Sequence, residues 1–284
     1  MRPIFSVIIP TTCDRYKLLL EAILSVSQQT FQNYEIIIVK ARNTKISLPK
    51  WTQKLNLRII PTEVNLNASQ ARNKGAMEAI GEWLAFLDDD DLWDKEYLEE
   101  IFNEICEGEY EFLIGTLFEL ESNKIIKQLT RPFKYKDLFL FNPGITGSNL
   151  VVKKVKFIRM KGFAEGLTVS QDKSIVIELL KLNLRYKIIV KARAYNRNHN
   201  FERLTDIQSQ LNGYIEFYLF YRNEMSFEVQ NLLMKKILNY IKINFIKSFF
   251  PFKLEYYKKL LIFVYFCLNF SVKKYLKVSL SSVA

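Results

Sequence analysis

The 284-residue chain has little of what most often carries chemistry by itself: one histidine, His199, and three cysteines, Cys13, Cys106 and Cys267. The cysteines are odd in number, far apart and in no metal-ligand spacing. That leaves out a disulfide framework and a zinc-binding module, and they read as reduced, buried thiols of an intracellular protein. Glycine is scarce, and Pro10-Thr11-Thr12-Cys13, which follows the first apolar segment, is no glycine-rich phosphate loop. No apolar run reaches the roughly 18–20 residues of a spanning helix. The longest, Leu260 to Val272, is interrupted by Asn269 and Ser271. The N-terminal apolar segment is too short for a signal peptide and runs into Pro10, so a cytoplasmic protein is expected.

What is present is a hydrophobic fraction of 49%, enough for a sizeable core. The length suits one large α/β domain plus an appendage, or two small domains. The net charge of +11 asks for an anionic partner, but it is unevenly placed. From Glu228 to Ala284 ten lysines face two glutamates and there is no arginine, so the first 227 residues are close to balanced. That leaves no basic stripe across the globular part, and nucleic acid is not an expected partner.

Apolar, β-branched runs at Phe5 to Ile9, Tyr34 to Val39, Leu57 to Ile60 and Trp83 to Leu87 read as buried strands, two of them closed by Pro10 and Pro61. Between them, Leu18, Leu19, Ala22, Ile23 and Val26 recur at helical spacing, as do residues from Ala68 to Ile80, with Gly81 as a stop. Strands alternating with helices predict a mainly parallel sheet covered on both faces, with ligands beyond the carboxyl ends of the strands. Further along, strands are expected at Leu150 to Val152 and Tyr186 to Ala192. A helix is expected from Gln171-Asp172 through Leu180, and a polar loop from Tyr195 to Thr205.

At one such carboxyl end stand four consecutive aspartates, Asp88 to Asp91. Self-repulsion and desolvation make such a run costly unless a cation neutralises it. A divalent ion carrying phosphates would do so, since hard oxygen ligands suit Mg²⁺ or Mn²⁺.

Taken in order, several segments resemble the family-2 glycosyltransferases of the GT-A fold. They are Phe5 to Thr11, Gln29-Thr30, Tyr34 to Val39, Asn67 to Gly75, Ile80 to Asp91, Gly162-Phe163 and Gln171-Asp172. Each motif alone is weak; their order and spacing are specific. The resemblance spans about residues 4–205 and implies an inverting transfer of one sugar from a nucleotide-diphospho-sugar, a UDP-sugar by preference, to a glycan or lipid-linked glycan acceptor. It also implies roles. Asp88 and Asp90 match the family's Asp-x-Asp, the first near the ribose and the second on Mn²⁺ or Mg²⁺, with Asp91 a further ligand or its support and Asp89 an exposed spacer. Thr11 and Arg72 match positions near the nucleotide. Asp14 could line the nucleoside or cap the helix that follows. Asp172 matches the general base, although Gln171 stands where many relatives have glutamate. Tyr195 to His199 resembles an aromatic-Arg-x-His pattern that brings His199 to the metal and Arg197 to the pyrophosphate. Trp93 could stack on an acceptor sugar or sit in the core. Where relatives carry Asp-Asp-Gly-Ser, this chain reads Lys40-Ala41-Arg42-Asn43, which leaves the base of the donor open.

The expected organisation is a GT-A catalytic domain at 1–205 and a basic, aromatic-rich helical region at 206–284. In the latter, Val229, Leu233, Ile237, Tyr240 and Ile241 share one face. Lysines beside aromatic faces fit either a helix lying on the anionic cytoplasmic face of the inner membrane or a subdomain packing on the sheet. Two other functions fit less of the sequence: a sugar-nucleotide nucleotidyltransferase, which would need the missing phosphate loop, and a non-catalytic nucleotide-sugar or membrane-binding protein.

Overall fold

The computed structural model describes residues 2–41, 46–62, 66–127, 132–197 and 207–247. Along the chain run β1 (Phe5–Thr11), α1 (Tyr16–Ser27), β2 (Tyr34–Ala41), β3 (Leu57–Thr62), α2 (Ala68–Glu78), β4 (Trp83–Phe86) and β5 (Leu92–Trp93). They are followed by α3 (Tyr97–Glu107), β6 (Phe112–Glu119), β7 (Ile125–Lys127), β8 (Leu150–Lys153), α4 (Lys154–Arg159), α5 (Gln171–Lys181), β9 (Tyr186–Asn196), α6 (Ile207–Tyr221) and α7 (Phe227–Lys247).

The strands form one mixed sheet in the order β3-β2-β1-β4-β8-β6-β9-β5, with β7 on β6. β3, β2, β1 and β4 are parallel, β8 runs antiparallel to β4 and β6, and β9 is parallel to β6. Alternate residues of the strands feed two cores. Phe5, Val7, Ile9, Ile36 and Ile38 meet α1 and α3 on one face; Ile8, Ile37, Val39, Leu84 and Phe86 meet the remaining helices on the other. Both faces are covered, which is why the strands read as continuous apolar runs.

β1 does not stop at Pro10, as the sequence suggested, but pairs with β2 as far as Thr11 opposite Lys40. Ile8 O accepts from Leu87 N, so the backbone of Ile8 faces the β4 side. Pro10, two residues on, faces the same way, but β4 has ended at Phe86 and no ladder bond is lost. β3 likewise runs through Pro61 because it is the edge strand. α2 ends at Glu78, before Gly81. That glycine serves a close approach instead: a Cβ there would lie 2.6 Å from Ser6 Oγ and 2.7 Å from Ser6 N. β9 extends to Asn196, into the segment expected to be loop, because its second half pairs with both β5 and β6. It takes up the mismatch in register at Gly115, whose added Cβ would lie 2.7 Å from Ala192 O.

The apolar face of α7 is occupied. Leu233 and Ile237 are buried in the core that also holds Leu211, Ile215, Phe217 and Tyr221 of α6 and Ile175 and Val176 of α5. No helix among the described residues is long and apolar enough to cross a membrane. Two thiols differ from expectation: Cys106 is exposed and Cys13 half-buried. Cys267, Leu260 to Val272 and Pro251 lie outside the described residues.

Candidate active site

Thr11 and Lys40, at the ends of β1 and β2, and the acidic loop after β4 share one rim of the sheet, and α5 brings Asp172 to the same cavity of about 810 Å³. The acidic loop is fixed at both ends. Leu87 N donates to Ile8 O, Asp91 N donates to Asp88 O at 3.2 Å to close a turn, and β5 then pairs antiparallel with β9.

Each aspartate has its own environment. Asp88 receives Arg72 Nη2 at 2.5 Å, and its backbone N–H donates to Ser148 Oγ. Asp89, expected as an exposed spacer, is instead 2% exposed, because the turn directs its side chain inward. Thr11 Oγ1 donates to it at 2.5 Å and Arg15 Nη2 at 2.6 Å. Burial pushes the Asp89 carboxyl up to about 6, opposed by Thr11 and Arg15. Asp90, partly exposed, pairs with Arg15 Nη1. Asp91 is buried; its oxygens accept from Ser148 Oγ at 2.5 Å, Asn196 Nδ2 at 3.1 Å and Arg197 N at 3.3 Å. Burial, then repulsion from Asp90 and Asp88, holds its pKa well above the usual carboxylate range.

Arg15, which spans Asp89 and Asp90, escaped the sequence reading. Its signal was its place between β1 and the first helix, next to Asp14. Asp14 itself is exposed, absent from the cavity wall, and does not cap α1, whose N-cap position is Arg15. Ser148 was likewise missed, although it ties Asp88 to Asp91 from inside the turn-rich segment Gly144 to Asn149.

Arg72 is 4% exposed, so it is no surface helix arginine. The capping box of α2, Asn67 with Gln70, fixes the helix that carries it. Besides Asp88, its guanidinium donates to Gln171 Oε1 at 3.2 Å and lies 3.9 Å from Asp172 Oδ1. Gly147 makes this possible: a Cβ there would sit 2.8 Å from Arg72 Nη2 and 3.0 Å from Asp88 Oδ1.

Asp172 lies in the first turn of α5, and the N-cap position belongs to Ser170, so capping is not its task. Its Oδ1 is buried without a hydrogen-bond partner, as is Arg72 Nε. Burial pushes the Asp172 carboxyl up to about 6, with Arg72 pulling it down and Asp88 pushing it up. It is ionised at neutral pH yet more basic than an ordinary aspartate.

The remaining expected residues are placed as follows. Arg197 is turned toward Glu21 and donates to Asp90 O at 3.3 Å, while Asn196 lines the cavity. Trp93 belongs to the core: it is 4% exposed, stacked on Tyr97 at 4.4 Å, and its Nε1 donates to Ser148 O at 2.7 Å. His199 and Arg42 lie outside the described residues. Among the described residues, no three His, Cys, Asp or Glu side chains are grouped to hold a metal ion.

Comparison with known proteins places this geometry. An uncharacterised glycosyltransferase of Methanocaldococcus jannaschii, MJ1057, is 27% identical over 84% of this chain and 86% of its own length. The Escherichia coli protein WfgD, named as a UDP-Glc:α-D-GlcNAc-diphosphoundecaprenol β-1,3-glucosyltransferase, is 24% identical over 82% of this chain and 90% of its own. A Haemophilus influenzae relative named an uncharacterised glycosyltransferase is 28% identical, but the chain spans only 55% of its length. Among solved structures, Staphylococcus aureus TarS with UDP-GlcNAc matches with a TM-score of 0.62 at 19% identity, over 84% of this chain and 72% of that one. Pyrobaculum calidifontis mannosyltransferase PcManGT with GDP-Man and Mn²⁺ matches with a TM-score of 0.61 at 14% identity, over 94% and 81%. The mixed sheet flanked by helices is thus the GT-A fold of glycosyltransferases. With the Glycosyl transferase family 2 profile matching residues 6–162, more than half of the sequence, the chain belongs to that family and is a glycosyltransferase.

Proposed function

We propose that this enzyme transfers a single sugar, with inversion, from a nucleotide-diphospho-sugar to a hydroxyl of a growing glycan or lipid-linked glycan of a bacterial surface polysaccharide. One observation carries this reading. Asp172, with a buried oxygen that has no hydrogen-bond partner and a carboxyl pushed up to about 6, faces the same cavity as Asp88 and Thr11. The acceptor hydroxyl attacks the anomeric carbon while the Asp172 carboxylate takes its proton. The bond from that carbon to the phosphate oxygen breaks, and its electron pair leaves with the nucleoside diphosphate. Thr11 and Asp88 line the nucleoside side, and Arg72 holds Asp88 and Asp172 at a fixed separation.

The donor chemistry suits a hard divalent cation: Asp88, Asp90 and Asp91 supply carboxylate oxygens from one loop, where burial and then repulsion from Asp90 and Asp88 raise the Asp91 pKa. Asp90, with His199, would hold Mn²⁺ or Mg²⁺. Asp91, with both oxygens engaged by Ser148, Asn196 and Arg197, would brace the loop or add a ligand. When bound, the ion supplies charge stabilisation to the departing diphosphate. Relatives and neighbours named for UDP-Glc, UDP-GlcNAc and GDP-Man support a nucleotide-sugar donor and leave its base open. Residues 248–284, with six lysines against Glu255, would attach the enzyme to the anionic cytoplasmic face of the membrane, where a lipid-linked acceptor lies.

The test is Asp172→Asn, assayed for turnover of UDP- and GDP-sugars with lipid-diphosphate-linked acceptors. Transfer should fall by about 10²–10⁴-fold, the usual contribution of a general base, with donor-nucleotide affinity kept. Near-wild-type transfer by the variant would remove Asp172 from the mechanism.

A further inference from the structure

Gln171, directly before Asp172 at the start of α5, is 5% exposed and has every polar atom of its amide engaged. Its Nε2 donates to two backbone carbonyls, Leu167 O at 2.9 Å and Thr168 O at 3.3 Å, and its Oε1 accepts from Arg72 Nη1 at 3.2 Å. Those partners fix which end of the amide is which. Turned over, it would set its NH2 against the guanidinium and its oxygen against both carbonyls. The segment it grips is itself tied to α6. Thr168 donates to Glu216 Oε2 through Oγ1 at 2.6 Å and through its backbone N–H at 3.0 Å. Val169 lies so close to Gly213 that a Cβ there would overlap it. Gln171 Oε1 is therefore an anchored acceptor.

The same nitrogen, Arg72 Nη1, lies 3.9 Å from Asp172 Oδ1, beyond hydrogen-bond reach, and that oxygen has no partner. Arg72 is held at its other end as well: Nη2 donates to Asp88 at 2.5 Å, and Cζ lies 5.2 Å from the centroid of the Phe163 ring. An unrestrained guanidinium beside a buried carboxylate would close on it, because a charge-assisted bond is shorter and stronger than one to a neutral amide. Here the pair stays open, with Gln171 and Asp88 setting where the guanidinium sits. The charged groups acting on Asp172 are Arg72 from α2 and Asp88 from the acidic loop, which oppose each other. Lys173, the next residue on α5, has its Nζ over the Phe217 ring.

We propose that Gln171 is a positioning residue that holds Arg72 off Asp172, so that the carboxylate stays open to a substrate hydroxyl instead of closing into an ion pair. This rests on the reading of Asp172 as the proton acceptor. The test titrates Asp172 in the full chain in two ways. One is the acid limb of kcat/KM; the other is ¹³C NMR of aspartate-labelled protein, with the Asp172 signal assigned by its loss in Asp172→Asn. Gln171→Met and Gln171→Leu keep a similar volume and remove the acceptor. Arg72 should then close on Asp172 and bring its titration about one pH unit or more below that of the wild type. Gln171→Glu draws the guanidinium away and adds a like charge, so the titration should rise by about as much. A residue that only anchors the 167–170 segment would lower the melting temperature in all three variants and move none of the titrations. Titrations that stay at the wild-type value in the neutral variants, or that move the same way in them as in Gln171→Glu, would each overturn the role. The NMR titration needs no turnover. Transfer that survives Asp172→Asn would count against the transfer reading, and the movement of the carboxyl titration would still decide whether Gln171 holds Arg72 off.

Discussion

Arg72 and Asp172 are held 3.9 Å apart, an ion pair too long for a hydrogen bond, and each keeps a buried polar atom without a partner. Such atoms cost free energy in the resting protein, and on the transfer reading the acceptor hydroxyl would meet Asp172 Oδ1. The raised pKa sets how this site responds to acid. Asp172 must be ionised to accept a proton, so kcat/KM should lose about ten-fold per pH unit below about 6 and level off above it. A pH–rate profile of the wild type checks this. An acid limb near the ordinary aspartate value would mean that Asp172 is less buried in solution than its oxygen is here. Gly147 supplies a second test. The methyl group of Gly147→Ala would press on Arg72 and Asp88, costing about 1–3 kcal/mol of stability and weakening nucleotide binding. Thermal unfolding together with titration of UDP measures both, and a variant that binds UDP like the wild type would show that the pair can shift without harm.

At the scale of elements, what could be foreseen divides by the range of the interactions involved. The parallel half of the sheet, α1, α5 and the face of α7 were legible because burial on both sides of a strand, or one side of a helix, is written in local apolar spacing. The cluster Thr11, Arg72, Asp88 and Asp172 could be assembled because each sits in a motif of fixed order. What could not be read depended on contacts between distant segments. Asp89 is buried because Thr11 and Arg15 reach it from 78 and 74 residues away. Trp93 is in the core because Ser148 and Tyr97 receive it. β9 continues past Ala192 because β5 and β6 offer partners. α7 shows the same dependence: an amphipathic face states that something covers it, and the described fold supplies α6. Leu233→Ala should therefore lower stability by about 2–5 kcal/mol, while Leu232→Ala, at a position 51% exposed, should stay within about 0.5 kcal/mol. Chemical denaturation of the pair distinguishes the two faces, and equal effects would detach α7 from the core.

For the molecule as a whole, the two ends of its charge distribution have opposite consequences. In the acidic site burial, and after it repulsion, works against ionisation. Asp89 and Asp172 are both pushed up to about 6, above their unfolded values, so the folded state binds more protons than the unfolded state between about pH 4 and 6. Stability from these groups is therefore present at low pH and lost as pH rises through about 6, the reverse of an ordinary paired carboxylate. The protein without ligands should melt at a lower temperature at pH 7 than this trend would leave it at pH 5.5, and Mn²⁺ with a nucleoside diphosphate should recover the difference. Thermal scans across pH, with and without Mn²⁺ and UDP, test this. A gain from the ligands that is no larger at pH 7 than at pH 5.5 would mean that the cluster is already neutralised by its arginines.

The basic end is a matter of sequence: six lysines beyond Ser248 stand against Glu255 alone, all after α7 in the chain. Each lysine near an anionic bilayer contributes about 1 kcal/mol, a sum that salt screens away. Because α7 packs through Leu233 and Ile237, a chain ending after Lys247 keeps those contacts. It should retain UDP binding and the melting temperature of the full chain, yet stay in the supernatant when the full chain sediments with phosphatidylglycerol vesicles at low salt. Phosphatidylcholine vesicles, which lack the charge, should leave both in solution. Sedimentation of the shortened chain with anionic vesicles would move the membrane contact onto the folded body. Loss of UDP binding on shortening would instead make residues 248–284 part of the catalytic unit.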